Sequence, residues 1–156
     1  MSKSPLRIGI AGLGTVGGGI IKLLNSQAAL LAARCGRAIE VTSVSARDRN
    51  KDRGVDLSAY TWHDDAVGLA SDDNVDVVAE LIGGEDGVVK ALVEAAIANG
   101  KHIVTANKAL IAHHGTALAK SAEAANVTLA FEAAVAGGIP IVKAMREGLA
   151  ANTFSR

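Results

Sequence analysis

Three glycines near the N-terminus stand at a spacing that suits the binding of a dinucleotide. Gly12, Gly14 and Gly17 follow the pattern G-x-G-x-x-G. The first glycine permits a tight turn, the second lets a pyrophosphate approach the backbone, and the third lets a helix pack closely on a strand. Phosphate would bind the free N–H groups of the helix N-terminus. A glycine-rich turn without a ligand stays open, since the pattern alone is weak and the chain has 17 glycines.

Charged residues follow the second predicted strand, where the adenosine ribose of a bound dinucleotide would lie. The sequence there reads Ala46-Arg47-Asp48-Arg49. An arginine at this place accommodates the 2′-phosphate of NADP, whereas an acid hydrogen-bonds the ribose of NAD. Arg47 and Arg49 favour NADP through charge-assisted hydrogen bonds, while Asp48 leaves NAD open. An ordinary solvated loop is the third interpretation. We expect NADP, with NAD as the alternative.

Two further charged residues follow later predicted strands. Lys108 ends the segment T-A-N-K, at the edge of the sheet where ligands of such folds bind. A lysine there can pair with a phosphate or a substrate carboxylate, or take part in proton transfer; the alternative is a surface lysine. Glu132 precedes Gly137-Gly138 and Pro140. It either binds a cation together with backbone carbonyls or caps the next helix, and the residues alone favour the cap.

The remaining motif candidates are weak. His113 and His114 are adjacent, so on a helix they point in different directions and form a poor metal pair. His63 and His102 are isolated and are predicted to be structural. The sequence contains no G-x-S-x-G, C-x-x-C, H-E-x-x-H or Walker motif, so nucleophilic hydrolysis and nucleotide triphosphate hydrolysis have no support.

The elements that must position these residues alternate along the chain. An apolar run predicts a strand at residues 6–11, and helical spacing after the glycines predicts one helix that ends at Cys35-Gly36. Further strands are predicted at residues 40–46, 75–82, 102–106 and 127–131, and further helices at residues 64–70 (capped by Asp64), 86–98, 118–125 and 139–150. This alternation predicts an α/β fold, a Rossmann-type doubly wound parallel sheet with helices on both faces.

Composition agrees with a sheet that is covered by helices. The chain has 156 residues, about one domain. Hydrophobic residues make up 49% and aromatic residues only 3%, so the core must consist of Ala, Val, Ile and Leu, as in sheets buried on both faces. Sixteen basic and sixteen acidic residues cancel, and no basic stripe with aromatic residues is present. We therefore expect no nucleic-acid partner.

The sequence also predicts that the protein lies in the cytoplasm and not in a membrane. The most apolar candidate, residues 127–142, is interrupted by Glu132, two glycines and Pro140, so no membrane span is expected. The apolar run after Arg7 has the length of a signal peptide, but six glycines at residues 9–19 and the lack of a cleavage site argue against one. The single Cys35 cannot form an internal disulfide.

Four segments read together resemble homoserine dehydrogenase. They are residues 12–17 (G-L-G-T-V-G), 80–84 (E-L-I-G-G), 104–108 (V-T-A-N-K) and 131–141 (F-E-A-A-V-A-G-G-I-P-I). The resemblance spans nearly the whole chain in the right order, and its last two segments are the more specific. It implies an NAD(P)-dependent interconversion of L-aspartate 4-semialdehyde and L-homoserine, on the route to threonine and methionine.

The resemblance also implies roles for individual residues. Arg47 would lie near the adenosine ribose, Ile82 and Gly83 near the nicotinamide, and Lys108 at the catalytic centre, where Thr105 and Lys108 also contact the cofactor. The pyrophosphate would be held by the turn of Gly12, Leu13, Gly14, Thr15, Val16 and Gly17. A monovalent cation, Na⁺ or K⁺, would be bound by Glu132 and by the backbone at Val135, Gly137 and Ile139, which raises the cation interpretation of Glu132 above the cap.

The length of the chain departs from the family pattern. Enzymes of this family continue into a substrate and dimerisation domain that supplies a second lysine and acidic groups for homoserine. We therefore expect residues 1–156 to be the NAD(P)-binding domain of a homo-oligomeric parent, binding cofactor with little or no turnover alone. Two alternatives remain: another amino-acid or sugar dehydrogenase, against which residues 132–141 argue, and a non-catalytic dinucleotide-sensing module.

Overall fold

A six-stranded parallel sheet forms the centre of the computed structural model, which describes residues 3–153. The strands are β1 (Leu6–Ala11), β2 (Ile39–Ser45), β3 (Thr61–His63), β4 (Val77–Glu80), β5 (His102–Thr105) and β6 (Leu129–Ala130). Their order is β3-β2-β1-β4-β5-β6, and every pair is parallel. The chain thus winds outward in both directions from β1 and β4, which makes their junction the switch point of the sheet. The predicted Rossmann-type fold is confirmed.

Within residues 3–153, six α-helices connect or follow the strands. They are α1 (Thr15–Ser26), α2 (Ala28–Cys35), α3 (Val88–Ala98), α4 (Lys108–Ala124), α5 (Glu132–Val135) and α6 (Ile141–Lys143). A 3₁₀ helix, Ala66–Ala70, precedes β4, and a π-helical turn, Ala144–Gly148, follows α6. Parallel strands need long crossover connections, and helices usually form them, although a loop connects β2 to β3.

Two apolar clusters fill the space between the sheet and its helices. On one face α3, α4 and the 3₁₀ helix pack on the strands, with Leu92, Ile103 and Leu110 fully buried. On the other face α1 packs over β1 and β2 in a smaller cluster that includes Ile10 and Ile21. This second layer does not cover the whole sheet, since Val104 of β5 is 45% exposed. Helices therefore lie on both faces, as predicted, but one layer is partial among the described residues.

The predicted single helix up to Cys35 is wrong, because the structure divides it into α1 and α2. The two axes differ by 80° at Gln27, whose φ of −110° and ψ of 15° are not helical. Leu23 and Leu30 are 56% and 45% exposed. Leu23 and Leu30 follow the helical spacing because the segment is rich in apolar residues, but they do not belong to one continuous buried face.

Other boundaries differ from the predictions for local reasons. Asp65, not Asp64, caps the 3₁₀ helix by accepting the N–H of Val67 at 3.0 Å, while Asp64 accepts the indole N–H of Trp62 at 2.9 Å. The short edge strand β3 was not predicted. Helix α4 begins at Lys108, ten residues before the predicted start, and the predicted helix at residues 139–150 is limited to α6 and its π-helical turn.

In residues 3–153 no single helix is long and apolar enough to cross a membrane. Only α1 and α2 taken together reach the required length and composition, and they are bent by 80°.

We predict that Gly17→Ala destabilises the fold, whereas Gly14→Ala leaves it intact. A Cβ at Gly17 would lie 2.0 Å from the backbone oxygen of Gly12, but a Cβ at Gly14 would have no atom within 4 Å. Overpacking of this kind costs about 1–3 kcal/mol of unfolding free energy. Urea denaturation of the unaltered chain and of both variants measures the unfolding free energy. Equal midpoints for all three would contradict the prediction.

An ion pair joins the start of β1 to the start of β4. Arg7 donates to the two carboxylate oxygens of Asp76 at 3.1 and 2.6 Å, and its backbone N–H donates at 2.9 Å. The guanidinium hydrogen bond holds the pKa of Asp76 below its ordinary value, against the opposing effect of partial burial. Since the folded pKa lies below the unfolded one, this stabilisation is present above the unfolded pKa and is lost in acid.

We therefore predict that acid weakens the fold partly through Asp76. Stability should fall as the pH drops below the ordinary carboxyl pKa of 3.8, and Asp76→Asn should reduce that dependence while lowering stability at neutral pH. Chemical denaturation between neutral pH and pH 3 measures the effect. Glu123→Gln, on an exposed part of α4, is the control, and an identical slope for both variants would contradict the prediction.

Candidate dinucleotide site

A cavity lies at the switch point of the sheet, beside the carboxyl ends of β1, β2 and β4. Its volume is ≈ 660 Å³, within the range of roughly 300–1,000 Å³ that is usual for cofactor and ligand sites. Open parallel sheets bind their ligands in this position. The cavity is lined by Gly12, Leu13, Gly14, Ser45, Ala46, Arg47, Asp48, Lys51, Arg53, Asp64, Asp65, Ala66, Leu81, Ile82 and Val88.

The glycine-rich turn is packed so tightly that side chains are excluded at two positions. Gly12 has a φ of +100°, and a Cβ there would meet the backbone oxygen of Leu81 at 2.5 Å. At Gly17 a Cβ would collide with the backbone of Gly12. The end of β1 therefore lies directly against the end of β4 and against the first turn of α1. This is the close packing that the spacing predicted.

Gly14 stands at the open side of the same turn. It precedes α1 as the N-cap, no side chain caps the helix, and the space that a Cβ would take is empty. Thr15 and Val16 are exposed on the first helical turn, while Leu13 is buried at 5% exposure. The first N–H groups of α1 are thus free for an anion. A ligand can therefore approach the backbone at Gly14 without obstruction, as the predicted pyrophosphate contact requires.

The loop after β2 brings positive charge to the cavity. Arg47 is exposed and lines it together with Asp48 and Lys51. The Asp48 carboxylate accepts the N–H of Asn50 at 2.9 Å, so it is used in a local turn of its own loop. Arg47 is the residue that the sequence predicted near the ribose, and the structure places it on the cavity wall.

Arg53 also lines the cavity and was not among the predicted site residues. It donates to the backbone oxygen of Leu13 at 3.2 Å and to that of Lys51 at 2.6 Å, and it also bonds the carbonyl of Asp48. Its guanidinium lies 5.7 Å from the centre of the Trp62 ring. Arg53 thereby ties the loop after β2 to the glycine-rich turn. A charged loop was visible in the sequence, but the partner 40 residues away was not.

The predicted nicotinamide side is the loop after β4. Ile82 lines the cavity, and Gly83 and Gly84 follow with φ values of 82° and 88°, which glycine adopts readily. The N–H of Ile82 donates to the buried carboxylate of Glu80 at 2.8 Å. Ile82 thus shares one cavity with the glycine-rich turn and Arg47.

Thr105 and Lys108 occupy different environments at the end of β5. Thr105 is 1% exposed, and its hydroxyl donates to Glu80 at 2.6 Å, so its side chain has no exposed group to offer a cofactor in this conformation. Lys108 is exposed as the first residue of α4. The Asn107 side chain donates to the carbonyl of Gly84 at 2.6 Å, which holds the start of α4 beside the loop after β4.

The predicted cation site lies farther along the chain. Glu132 accepts the N–H groups of Val142 and Lys143 at 2.9 and 3.0 Å, and thus caps α6. The carbonyl of Ile139 accepts the N–H of Ile141 at 2.8 Å. Val135 and Gly137 are exposed. Glu132 and Ile139 therefore already have hydrogen-bond partners, and the cation site remains a prediction.

The two adjacent histidines of α4 each pair with one acid. His113 lies 3.0 Å from Glu85, and His114 lies 2.9 Å from Asp86. Within residues 3–153, no cluster of three or more His, Cys, Asp or Glu side chains could hold a metal ion. These residues provide no support for a second chemical centre.

Comparison with known proteins gives consistent matches. A family model described as homoserine dehydrogenase, NAD binding domain, matches residues 12–132. Homoserine dehydrogenase from Pseudomonas aeruginosa is 51% identical over 97% of this chain and 34% of its own length. The protein of the same name from Neisseria gonorrhoeae is 49% identical over 95% of the chain and 34% of its own length.

A solved structure supports the same relationship. The crystal structure of a homoserine dehydrogenase from Thiobacillus denitrificans has a TM-score of 0.89 and 43% identity, covering 97% of this chain and 35% of that one. The chain thus spans about a third of the length of the relatives that it matches. From the family match, the identities and the shared fold, we conclude that the chain belongs to the homoserine dehydrogenase family and carries its NAD-binding domain.

Proposed function

We propose that the chain is the cofactor-binding part of an NAD(P)-dependent enzyme that interconverts L-aspartate 4-semialdehyde and L-homoserine, for threonine and methionine biosynthesis. The observation that carries the proposal is the cavity at the switch point, where the uncapped start of α1 and the open space at Gly14 suit a pyrophosphate. Relatives named homoserine dehydrogenase support the reaction.

We propose NADP as the preferred cofactor and NAD as the weaker one. Arg47 and Lys51 bring positive charge to the cavity, where a 2′-phosphate would gain charge-assisted hydrogen bonds. Asp48 lines the same cavity with its carboxylate bonded to the N–H of Asn50, and its negative charge opposes this preference, which keeps NAD as the alternative. The pyrophosphate would be bound by the turn at residues 12–17, and the nicotinamide would lie near Ile82 and Gly83.

Lys108 is proposed as the catalytic residue of this chain. When bound, the nicotinamide supplies or accepts the hydride. The exposed ammonium of Lys108 stands at the start of α4, next to the loop after β4. From there it would orient the substrate oxygen and hold or transfer the proton on it. Thr105 would support the cofactor site indirectly, through its buried hydrogen bonds to Glu80 and Asn107.

The proposal also includes partners outside the described chain. Residues 1–156 would form the NAD(P)-binding domain, while a separate substrate and dimerisation domain would complete a homo-oligomeric enzyme of the cytoplasm. The matched relatives extend well beyond the shared third, which supports this division. Cys35 is a free, exposed thiol, in keeping with a reducing compartment. No nucleic-acid or membrane partner is proposed.

A monovalent cation, Na⁺ or K⁺, is proposed at Glu132 with the backbone of Val135, Gly137 and Ile139. A carboxylate has about four acceptor positions, so Glu132 keeps some after its two contacts with α6. The exposed turn at Gly137 leaves room for the chain to adjust around an ion.

We predict that the 156-residue chain binds NADPH more tightly than NADH and that Gly14→Ala removes most of this affinity without unfolding. The added methyl group would occupy the space that the pyrophosphate needs. Isothermal titration calorimetry with each cofactor measures both effects. Equal NADPH affinity of the glycine and alanine proteins would contradict the assigned phosphate site.

The cofactor preference has its own control. Arg47→Ala should weaken the binding of NADPH by about tenfold, equivalent to ~1.4 kcal/mol. The affinity for NADH should stay nearly unchanged. Arg34→Ala removes the same charge from α2, away from the cavity, and should change neither affinity. If both variants weaken NADPH binding equally, Arg47 does not contact the 2′-phosphate as proposed.

We predict that Lys108→Ala in the complete enzyme lowers kcat at least 100-fold, in line with about 10²–10⁴ for a general acid or base, and changes cofactor affinity little. Steady-state kinetics with homoserine measure it. Lys120→Ala, an exposed lysine on the same helix, should keep kcat. The 156-residue chain alone should show no substantial homoserine-dependent rate, and robust turnover by it would refute the two-domain proposal.

A further inference from the structure

A fully buried carboxylate lies between the loops that carry the proposed nicotinamide contacts and Lys108. Glu80 ends β4 and is 0% exposed. Among residues 3–153 it makes no salt bridge. Burying a carboxylate without a cationic partner is unfavourable unless hydrogen bonds satisfy it. The partners of Glu80 therefore indicate what the residue does.

The two carboxyl oxygens of Glu80 contact different segments of the chain. One accepts the N–H of Ile82 at 2.8 Å and that of Gly83 at 3.4 Å, both in the loop after β4. The other accepts the hydroxyl of Thr105 at 2.6 Å, at the end of β5. One side chain thus spans the carboxyl ends of two neighbouring strands.

The connection continues from Thr105 to the start of α4. The Thr105 hydroxyl accepts the N–H of Asn107 at 3.0 Å. Asn107 in turn caps α4 by accepting the N–H of Leu110 at 3.1 Å and donates its amide to the carbonyl of Gly84 at 2.6 Å. The hydrogen bonds form a closed circuit from Glu80 through Thr105 and Asn107 back to the loop after β4. Lys108 follows directly as the first residue of α4.

We propose that Glu80 is a positioning residue, which through Thr105 and Asn107 fixes the loop at residues 82–84 relative to Lys108. The inference rests on the proposed function, because it takes Ile82, Gly83 and Lys108 as site residues. The circuit sets the distance between the nicotinamide contacts and the residue that handles the substrate proton. Ile82 and Leu110 contact the apolar core, but Gly83, Gly84 and Lys108 are exposed, so the polar circuit is what connects these exposed residues.

The direction of the hydrogen bonds makes the Thr105 hydroxyl essential to this circuit. It donates to Glu80 while accepting from Asn107. Valine has the shape of threonine and can do neither, whereas serine can do both. Thr105→Val therefore opens the circuit with little change in volume, and Thr105→Ser keeps it closed.

Ser43 offers a matched control elsewhere in the sheet. Its buried hydroxyl donates to the Asp72 carboxylate at 2.6 Å, the same distance and the same donor and acceptor types as in the Thr105–Glu80 contact, although Asp72 also pairs with His63. Ser43 and Asp72 do not line the cavity. Ser43→Ala thus deletes an equivalent hydrogen bond and reports on the loss of stability alone.

The test measures amide hydrogen exchange of the 156-residue chain by NMR, together with NADPH affinity by calorimetry. Thr105→Val should speed exchange at Ile82 and Gly83 about tenfold, although neither contacts Thr105 directly, because a fully buried side chain loses one of its hydrogen bonds. The binding of NADPH should weaken by a similar factor. Thr105→Ser should stay within about threefold of the unaltered chain on both measures. Ser43→Ala should change neither.

The outcomes separate this inference from the proposed function. Unchanged exchange at Ile82 and Gly83 in Thr105→Val overturns the positioning role, as does a serine variant that behaves like valine or an equal effect of Ser43→Ala. If the unaltered chain fails to bind NADPH, the proposed function is wrong, and the exchange data alone then decide whether Glu80 connects the two loops.

Discussion

The close approach of the β1 end to the first turn of α1 is the constraint on which the rest of the site depends. Parallel pairing with β2 and β4 fixes β1 from both sides, so the chain must turn within three residues before α1 begins. Gly12 and Gly17 allow this because backbone atoms stand where a Cβ would lie. The turn places the N-terminus of α1 at the switch point, and its residues Gly12, Leu13 and Gly14 line the cavity there.

The loops around this turn are held by polar contacts in addition to the apolar residues that they pack on the core. Arg53 binds three backbone carbonyls, one of them in the glycine-rich turn. Glu80 accepts hydrogen bonds from the loop after β4 and from the end of β5. A buried or half-buried polar side chain that hydrogen-bonds the backbone fixes the position of a loop, because losing one partner would leave the side chain unsatisfied. Arg53 thus holds a loop at the cavity wall directly, whereas Glu80 acts from behind the wall through the N–H of Ile82.

Local pattern predicted much of this structure, and long-range contacts account for what it missed. Strand alternation and the glycine spacing predicted the sheet and the tight glycine-rich turn, and the family resemblance is confirmed by the matches. The early start of α4 was missed because Gly115 and the adjacent histidines blur its apolar periodicity. The Glu80–Thr105 and Arg53–Leu13 contacts join residues 25 and 40 positions apart, and no spacing rule encodes them.

The most direct measurement for the central claim is NMR chemical-shift mapping of the ¹⁵N-labelled chain during addition of NADPH. A dinucleotide at the switch point should move the amide resonances of residues 12–17, 46–48 and 82–83, and leave the region of α5 and α6 unchanged. The claim would be contradicted by shifts confined to residues 132–149, or by no shifts at saturating NADPH, because the glycine-rich turn would then not be the cofactor site.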